Sequence, residues 1–144
     1  MLTIKRLDIN DARLLIAGAR AKAEEIGVPM GIAVTDESGA LIAFEKMDGA
    51  KILAAPFAID KSFTATGTRK GTHELNEANQ PGNPTHGLAS AMGGRMLVLW
   101  GGLPIILDGE VVGGIGVSAG SPTQDLEVAQ AGVNALVDGQ TNFQ

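Results

Sequence analysis

The fold of the chain is decided by the stretch LPIILDGEVVGGIGVS, residues 103–118. Two mainly apolar segments, 103–107 and 110–118, flank the dipeptide Asp108-Gly109. Asp-Gly in this setting is a strong signal for a two-residue type I′ turn, because that turn needs a positive φ at both central positions. The stretch therefore predicts an antiparallel hairpin whose second strand is rich in glycine.

Three further strands are predicted outward from this hairpin. Residues 96–100 precede it and end at the glycine pair Gly101-Gly102, so a three-stranded meander is expected. Near the N-terminus, 31–35 and 40–46 are β-type segments around a four-residue loop, which predicts a second hairpin. The sequence thus predicts a five-stranded antiparallel sheet.

The remaining segments predict helices that flank this sheet. Apolar residues recur at helical spacing after the N-cap candidate Asp8, and Ser121-Pro122 with Gln124 has the pattern of a capping box. Pro56 lies inside the second helical segment, and proline is tolerated only in the first turn of a helix. An alternative start of the regular helix is therefore Pro56 instead of Lys51. The predicted helices cover 9–26, 51–68, 72–78 and a segment from Ser121 to a stop at Gly139, with a long loop over 80–94.

The order of these elements predicts an α+β domain with helices packed against the sheet. Hairpin connections disfavour a parallel, doubly wound sheet. The chain has 144 residues, 44% of them apolar, which is the usual size of one domain with a sizeable core. We expect one domain over 1–139 and a polar C-terminal tail over 140–144.

Composition excludes several classes of function. The chain has no cysteine, which removes disulfides, zinc–thiolate sites, iron–sulfur clusters and thiol nucleophiles, and favours a cytoplasmic location. No apolar run is long enough to cross a membrane, so no membrane association is expected. A net charge of −5 and an aromatic content of 3% argue against nucleic-acid binding, which relies on positive charge and aromatic stacking.

The two histidines, His73 and His86, are candidates for acid–base catalysis. They do not form a pair at i, i+4 spacing, so no metal site is predicted. His73 is open to three interpretations: a single axial haem ligand, a general base or an exposed surface residue. The same alternatives apply to His86, whose Pro/Gly-rich loop favours a position at the mouth of a pocket.

Lys61, Arg69 and Lys70 are close together in an otherwise acidic sequence. One interpretation is a clamp for a carboxylate ligand, such as a haem propionate or a small hydroxy acid. The alternative is an ordinary solvated helix face.

Ser118, Gly120 and Ser121 lead into the start of the last predicted helix. Free amides and the helix dipole at such a start attract carboxylate or phosphate groups, which makes these residues candidates for binding a ligand anion. Ordinary capping of the helix is the alternative.

Three groups of short motifs follow one another between Asp8 and Val137. They are AIDKSFTA (58–65) with RKGTHEL (69–75), then GGLPI (101–105), then GGIGVS (113–118) with Asp125 and AQAGV (129–133). In this order they resemble the A-x-x-K-A-x-T-A … R-P-T-x-x-L, G-G-(V/I/L)-P-(V/I/L) and G-x-I-G-V-(S/G) … D-E … A-x-A-G elements of the GlcG/HbpS-like family. The combination of all three makes the resemblance specific.

The resemblance implies a profilin-like α-β-α fold that assembles as homo-oligomers. Members of the family occur as haem-binding or haem-degrading proteins, as domains joined to corrinoid adenosyltransferases and as small proteins encoded with catabolic pathways. The threonine of the family's haem-contacting region matches Thr72, and the neighbouring His73 is chemically the better iron ligand. Three departures from the family pattern are Gly71 in place of proline, Leu126 in place of an acidic residue, and the long loop over 80–94.

The leading hypothesis is a cytoplasmic, homo-oligomeric domain that binds a small anionic ligand, with haem as the first candidate, and that is accessory to a catabolic pathway. In it, Lys61, Arg69 and Lys70 face carboxylates, while Thr72 or His73 approaches the iron. The expected partners are the ligand and further copies of the chain, with neither nucleic acid nor membrane.

An alternative hypothesis is a cofactor-free enzyme that acts on a small catabolic carboxylic or hydroxy acid. His73 or His86 then supplies the acid–base chemistry, and the helix start at Ser121 holds the anion. A third hypothesis is an accessory protein without a ligand. Whether the chain is an enzyme stays open on the sequence alone.

Overall fold

The computed structural model describes residues 1–141 of the chain. Within these residues it contains four strands, four α-helices and one 3₁₀ segment, and none of the helices is both long and apolar enough to cross a membrane. The bounds of the elements are α1 Ile9–Ile26, β1 Gly31–Asp36, β2 Leu41–Lys46, α2 Ala54–Thr68, α3 Thr72–Ala78, the 3₁₀ segment Leu88–Gly94, β3 Gly102–Leu107, β4 Glu110–Ser118 and α4 Pro122–Thr141.

The strands form one antiparallel sheet in the order β2-β1-β4-β3. The predicted α+β class is confirmed, and both predicted hairpins form. At the turn between β3 and β4, Asp108 and Gly109 have φ angles of 52° and 78°, as a type I′ turn requires. Pro104 lies in the edge strand β3, where a residue without an N–H donor is tolerated.

The predicted fifth strand over 96–100 is wrong, and the sheet has four strands. Thr64 of α2 binds this segment through its side chain. Its Oγ1 accepts a hydrogen bond from the Leu97 N–H at 3.0 Å and donates one to the Arg95 carbonyl at 3.0 Å. Gly101 then turns the chain with a φ of 120° before β3 begins. A helix side chain therefore satisfies backbone groups that a neighbouring strand would otherwise bind.

Helices cover both faces of the sheet. Gly114 and Gly116 of β4 face α2, and a Cβ atom on Gly116 would lie only 2.0 Å from the Ala58 carbonyl oxygen. The alternate residues Ile115 and Val117 point to the other face and join the main core with α1 and α4. The missing side chains of the two glycines therefore let α2 lie directly on the backbone of β4.

The first and last helices pack against each other in antiparallel directions. Gly18 of α1 lies so close to α4 that a Cβ atom there would be 2.3 Å from Ala135 Cβ. Nearer the start of α1, Leu14 is opposite Gly139, where an added Cβ would lie 3.2 Å from the leucine side chain. The start of α1 is therefore close to the end of α4.

Two helix ends differ from the prediction. α2 begins at Ala54, later than expected, which places Pro56 in the first turn, where its missing N–H breaks no helical hydrogen bond. α4 continues through the predicted stop at Gly139 to Thr141, since this glycine serves close helix packing instead of a C-cap. The rest of the predicted polar tail, 142–144, lies outside the described residues.

The long loop predicted over 80–94 folds back onto the end of α3. The side-chain oxygen of Asn79 accepts hydrogen bonds from the Gly87 and Ala89 N–H groups at 3.1 and 3.2 Å. The last part of the loop forms the 3₁₀ segment Leu88–Gly94. This loop is therefore tied to α3 by an amide side chain at the helix end.

Candidate ligand-binding cavity

A cavity of about 520 Å³ lies where the start of α2, the segment before β3, the end of β4 and the start of α4 meet. Most of its wall is apolar, and two lysines and an aspartate add charge. The apolar wall includes Leu53, Ala54, Phe57, Leu99, Trp100 and Pro122, and the polar wall includes Lys51, Lys61, Asn76, Ser118 and Asp125. Apolar walls with a few polar groups, at this size, are typical of small-molecule sites.

Lys61 and Asp125 form a buried ion pair in the wall of the cavity. Lys61 Nζ lies 2.9 Å from Asp125 Oδ2 and also donates a hydrogen bond to the Val117 carbonyl at 2.8 Å. The other carboxylate oxygen, Oδ1, accepts the Gly120 N–H at 2.8 Å. The two residues have exposed fractions of only 2% and 4%. The pair therefore links α2 to the first turn of α4.

Burial shifts both members of the pair toward their neutral forms. Loss of water lowers the pKa of Lys61, although the charge of Asp125 and its hydrogen bond act in the opposite direction. Burial likewise raises the pKa of Asp125 against the effects of Lys61 and the Gly120 N–H. The free-energy difference between the charged and the neutral pair is therefore smaller than it is for the same groups in water.

Two glycines leave the space that this pair occupies. A Cβ atom on Gly101 would lie 2.5 Å from the Val117 carbonyl oxygen and 2.8 Å from Asp125 Cβ. A Cβ atom on Gly120 would lie 2.9 Å from Asp125 Oδ1. The glycine-rich segments before β3 and after β4 therefore allow the backbone to approach the charged pair closely.

His73, in the first turn of α3, is held between a glycine and the single tryptophan of the sequence. Its ring makes an edge contact with Trp100 at a centroid distance of 5.7 Å and an interplanar angle of 62°. It also fills the space beside Gly71, where an added Cβ atom would lie 2.3 Å from His73 Cε1. Among the described residues, Nδ1 of His73 is the one buried side-chain nitrogen or oxygen without a hydrogen-bond partner. Gly71, which stands where the family pattern has proline, therefore leaves space for the His73 ring, whose Nδ1 has no hydrogen-bond partner among the described residues.

The predicted basic residues are not brought together. Lys61 is buried in the cavity wall, whereas Arg69 and Lys70 are exposed just after α2. Arg69 lines a different pocket, which it forms with the N-terminal residues 2–5. Arg69 and Lys70 are therefore solvated, as the alternative interpretation has it, but they lie beyond the helix end and not on its face, while Lys61 is buried.

Thr72, His73 and His86 lie outside the cavity wall, although the ring of His73 contacts Trp100, which is part of it. The buried hydroxyl of Thr72 accepts the Gly102 N–H at 2.9 Å, which fixes the start of α3 against β3. His86 is exposed, and its Nδ1 lies 3.0 Å from the Asn79 carbonyl oxygen within the loop. In the described part of the chain, no group of three or more His, Cys, Asp or Glu side chains is arranged to hold a metal ion.

The predicted anion-binding residues have different surroundings. Ser118 and Gly120 line the cavity, while Ser121 lines a neighbouring pocket. The Gly120 N–H is taken by Asp125. Ser121 Oγ accepts the Gln124 N–H at 3.3 Å, and Gln124 Oε1 accepts the Ser121 N–H at 2.9 Å, which confirms the predicted capping box. The hydroxyl of Ser118 has no hydrogen-bond partner within the residues described, so it is the free polar group of this set.

Sequence reasoning missed the roles of Asp125 and Trp100. Asp125 belongs to the motif comparison, but nothing in its spacing indicates a pair with Lys61, which is 64 positions away. Trp100 ends a segment that its apolar pattern assigns to a strand. The available signal was Lys61 itself, because it shares a helical face with Ala58 and Ala65, where an unpaired charge is not tolerated.

Fold and site together define a class of protein: an α-β-α domain with an apolar cavity and a buried lysine–aspartate pair in its wall. The chain belongs to the HbpS-like family, because the family model described as haem degrading protein HbpS-like matches residues 7–134. The resemblance predicted from the motifs is thereby confirmed.

Two curated relatives have similar sequences. The chain is 35% identical over 133 residues to an uncharacterized 15.0 kDa protein of the dhaT–dhaS intergenic region of Citrobacter freundii, across 92% of this chain and 94% of that protein. It is 33% identical over 130 residues to the corrinoid adenosyltransferase PduO of Citrobacter freundii, across 90% of this chain. The matched region is only 39% of the length of PduO, so this chain corresponds to one part of that protein.

Two solved structures share the fold closely. The Klebsiella pneumoniae protein ORFY is 30% identical, with a TM-score of 0.93 and coverage of 95% of this chain and 94% of that one. A crystal structure of a PduOC:heme complex is 32% identical, with a TM-score of 0.87 and coverage of 90% of this chain and 94% of that one. A domain similar to this chain therefore binds heme.

Proposed function

We propose that the chain is a small-ligand-binding protein that holds haem in the cavity beside Trp100. The observation that carries this proposal is the cavity itself, an apolar space of about 520 Å³ with Phe57 and Trp100 in its wall and lysines among its polar groups. A flat hydrophobic macrocycle with carboxylate groups needs both features. The heme complex of PduOC supports the choice of haem among ligands of this shape.

The residues of the cavity fit this ligand. Its apolar side chains suit the faces of the macrocycle, and the exposed ammonium group of Lys51 suits a propionate. The imidazole of His73 lies outside the cavity wall but contacts Trp100, which is part of that wall, and its buried Nδ1 has no partner in the described chain. We therefore take His73 as the candidate axial ligand, which requires its ring to turn toward the cavity. Bound haem would supply an iron centre whose redox and ligand-binding properties depend on that axial group.

Of the five residues predicted to contact the cofactor, the proposal keeps Lys61 and His73 near the ligand and leaves out Arg69, Lys70 and Thr72. Arg69 and Lys70 are exposed beyond the end of α2, and Arg69 lines another pocket. The hydroxyl of Thr72 is buried and accepts the Gly102 N–H, and Thr72 does not line the cavity, so we place it second to His73 as an iron ligand.

An absorbance titration with haemin tests the proposed cavity. Leu99 lines the cavity and is 44% exposed, so Leu99→Glu places a negative charge there without disturbing a buried residue. Leu41→Glu is the matched control, because Leu41 is 48% exposed and lies outside the cavity wall. We expect the same saturable Soret band for the wild type and Leu41→Glu, and binding at least about tenfold weaker for Leu99→Glu. Equal weakening in both variants, or no saturable band with the wild type, would contradict the proposal.

A second pair of variants tests the axial ligand. We expect His73→Ala to move the Soret maximum of the haemin complex, because the iron loses an imidazole ligand. His86→Ala is the control, since His86 is exposed in the loop and is expected to leave the spectrum unchanged. An unchanged spectrum for His73→Ala would exclude this histidine, and the Leu99→Glu titration would still decide on the cavity.

Other parts of the sequence-based hypothesis stay predictions. These are the homo-oligomeric state, the cytoplasmic location, the accessory role in a catabolic pathway and the lack of nucleic-acid partners. The same holds for an enzyme that uses His73 or His86 on a small carboxylic or hydroxy acid. The contact with Trp100 favours His73 over His86 for a role at the cavity.

A further inference from the structure

Lys61 carries the largest fully buried side chain in the described part of the chain, and it lines the cavity. An ammonium group has three N–H donors. Two of them are used, by the Val117 carbonyl at 2.8 Å and by Asp125 Oδ2 at 2.9 Å. The third has no acceptor among the described residues, so it is available to a molecule in the cavity.

Stability alone does not explain a lysine at this position. Burial of two charges is costly, and apolar residues of similar volume often serve a protein core as well or better. The pair lies beside other features that are typical of functional sites. Ser118 follows Val117 and has a hydroxyl without a partner in the described chain, and Ala119 has a φ of 99°, which is costly for a residue with a Cβ atom.

We propose that Lys61 is a nucleophile that condenses with the carbonyl group of a small aldehyde or ketone bound in the cavity, with Asp125 as the proton carrier. The apolar wall formed by Phe57, Leu99 and Trp100 favours a carbonyl compound with an alkyl or aromatic substituent. The free hydroxyl of Ser118 is a donor for the carbonyl oxygen. This activity requires no haem.

The reaction balances with the groups present. Asp125 accepts a proton from the Lys61 ammonium across the 2.9 Å contact. The amine nitrogen then forms a bond to the carbonyl carbon as the C=O π bond breaks, and the oxygen takes a proton released by the nitrogen. The resulting carbinolamine loses its hydroxyl as water with the proton held by Asp125. The products are a protonated imine on Lys61, one water molecule and a charged aspartate, so no oxidant or reductant is needed.

The electrostatics of the pair support the first step. Burial lowers the pKa of Lys61 and raises the pKa of Asp125. Proton transfer from the lysine to the aspartate therefore costs less than it does between the same groups in water. The free amine that results is the nucleophilic form.

Reductive trapping on the haem-free full-length protein tests the proposal. Benzaldehyde is the probe, sodium cyanoborohydride reduces any imine to a stable benzylamine, and peptide mass mapping finds the modified lysine. Lys51 is the internal comparison, because it also lines the cavity but is exposed. We expect Lys61 to gain one benzyl group at least about tenfold faster than Lys51. Labelling of Lys51 and the other exposed lysines with Lys61 unmodified would overturn the proposal, whatever haemin binding shows.

A variant separates the role of Asp125 from that of the lysine. Asp125→Asn keeps the size of the side chain but removes its proton acceptor. The substitution makes Lys61 easier to deprotonate, but it also removes the acid that protonates the leaving hydroxyl of the carbinolamine. At a temperature where circular dichroism shows the variant to be folded, we therefore expect labelling of Lys61 to slow by about a hundredfold. Labelling at the wild-type rate would remove Asp125 from the mechanism. If the variant does not fold, the wild-type labelling pattern decides on Lys61 by itself.

Discussion

The ammonium nitrogen of Lys61 lies 2.9 Å from the carboxylate of Asp125, 64 positions further along the chain, and both groups are shielded from water. This contact connects α2, on one face of the sheet, with the start of α4, on the other. It is a costly part of the core, and it contains the lysine that we propose as a nucleophile.

The stability of the pair depends on both partners. Asp125→Ala leaves the Lys61 charge buried without a counterion, so we expect the free energy of unfolding to fall by about 3–5 kcal/mol. The double variant Lys61→Met/Asp125→Asn removes both charges and keeps an acceptor for the Gly120 N–H, so we expect it to be destabilised less than Asp125→Ala. Urea unfolding followed by circular dichroism measures both. If the double variant were as unstable as Asp125→Ala, the loss of stability would come from the packing and hydrogen bonds of the two side chains and not from an unpaired charge.

The close packing of α2 on β4 predicts a second result. A Cβ atom on Gly116 would lie 2.0 Å from the Ala58 carbonyl oxygen, and backbone cannot move aside cheaply. We expect Gly116→Ala to lower the free energy of unfolding by about 3 kcal/mol or more. Gly67→Ala is the control, because nothing lies within 4 Å of its position in α2. There the substitution is expected to raise stability by about 0.5–1 kcal/mol, as alanine is the better helix former. Equal effects at the two positions would contradict the packing described.

The placement of the His73 ring is expected to depend on Gly71. A Cβ atom there would lie 2.3 Å from His73 Cε1, so Gly71→Ala displaces the imidazole from its edge contact with Trp100. Because Trp100 is the single tryptophan, its fluorescence reports the change directly. We expect Gly71→Ala and His73→Ala to alter the emission, while Gly67→Ala leaves it unchanged. Identical emission from all variants would mean that the ring does not occupy this place in solution.

The turn between β1 and β2 predicts a pH dependence. Burial opposes ionisation of Asp36, but hydrogen bonds from the Ser38 N–H and hydroxyl and from the Ala40 N–H outweigh it, so its pKa is lowered. A lowered pKa contributes stability that is complete above the unfolded value of about 3.9 and is lost as the pH falls through the folded value.

We therefore expect Asp36→Asn to lose less stability than the wild type between about pH 7 and about pH 3. Urea unfolding at the two pH values measures the difference. Asp48→Asn is the control, since the exposed side chain of Asp48 has no hydrogen bond among the described residues and the wild-type pH dependence should persist. A pH dependence in Asp36→Asn equal to that of the wild type would contradict the prediction.

Local signals explain which parts of the fold were predictable. The turn at Asp108-Gly109 is determined by those two residues, and the capping box by Ser121 and Gln124, which are three positions apart. A short stretch of sequence is therefore enough to predict each of them. The apolar run over 96–100 predicts a strand, because such a run is typical of one. Its actual structure depends on the hydroxyl of Thr64, more than thirty positions away. No local pattern contains that contact.

In the candidate site, too, the residues that neighbouring sequence identifies are predictable and the contacts between distant residues are not. The sequence predicts Lys61, Ser118 and Gly120 as ligand-binding residues, and all three line the cavity. Nearness in the chain wrongly groups Lys61 with Arg69 and Lys70. The helix ends before those two residues, so they point to solvent. The true partner of Lys61 is Asp125, which only the packing of α2 against the β4–α4 connection brings close.

The antiparallel contact of the first and last helices has a consequence for chain connectivity. Because Leu14 lies against Gly139, the end of α4 is close to the start of α1. A flexible linker that joins the two ends must keep the segment before α1, because its Leu7 is only 4% exposed and belongs to the core. New ends opened at the exposed turn around Gly82 would leave the sheet, the helices and the cavity wall intact. The last helix thus returns to the first, and a circularly permuted chain that keeps the segment before α1 is expected to reach the same native state from a different starting point.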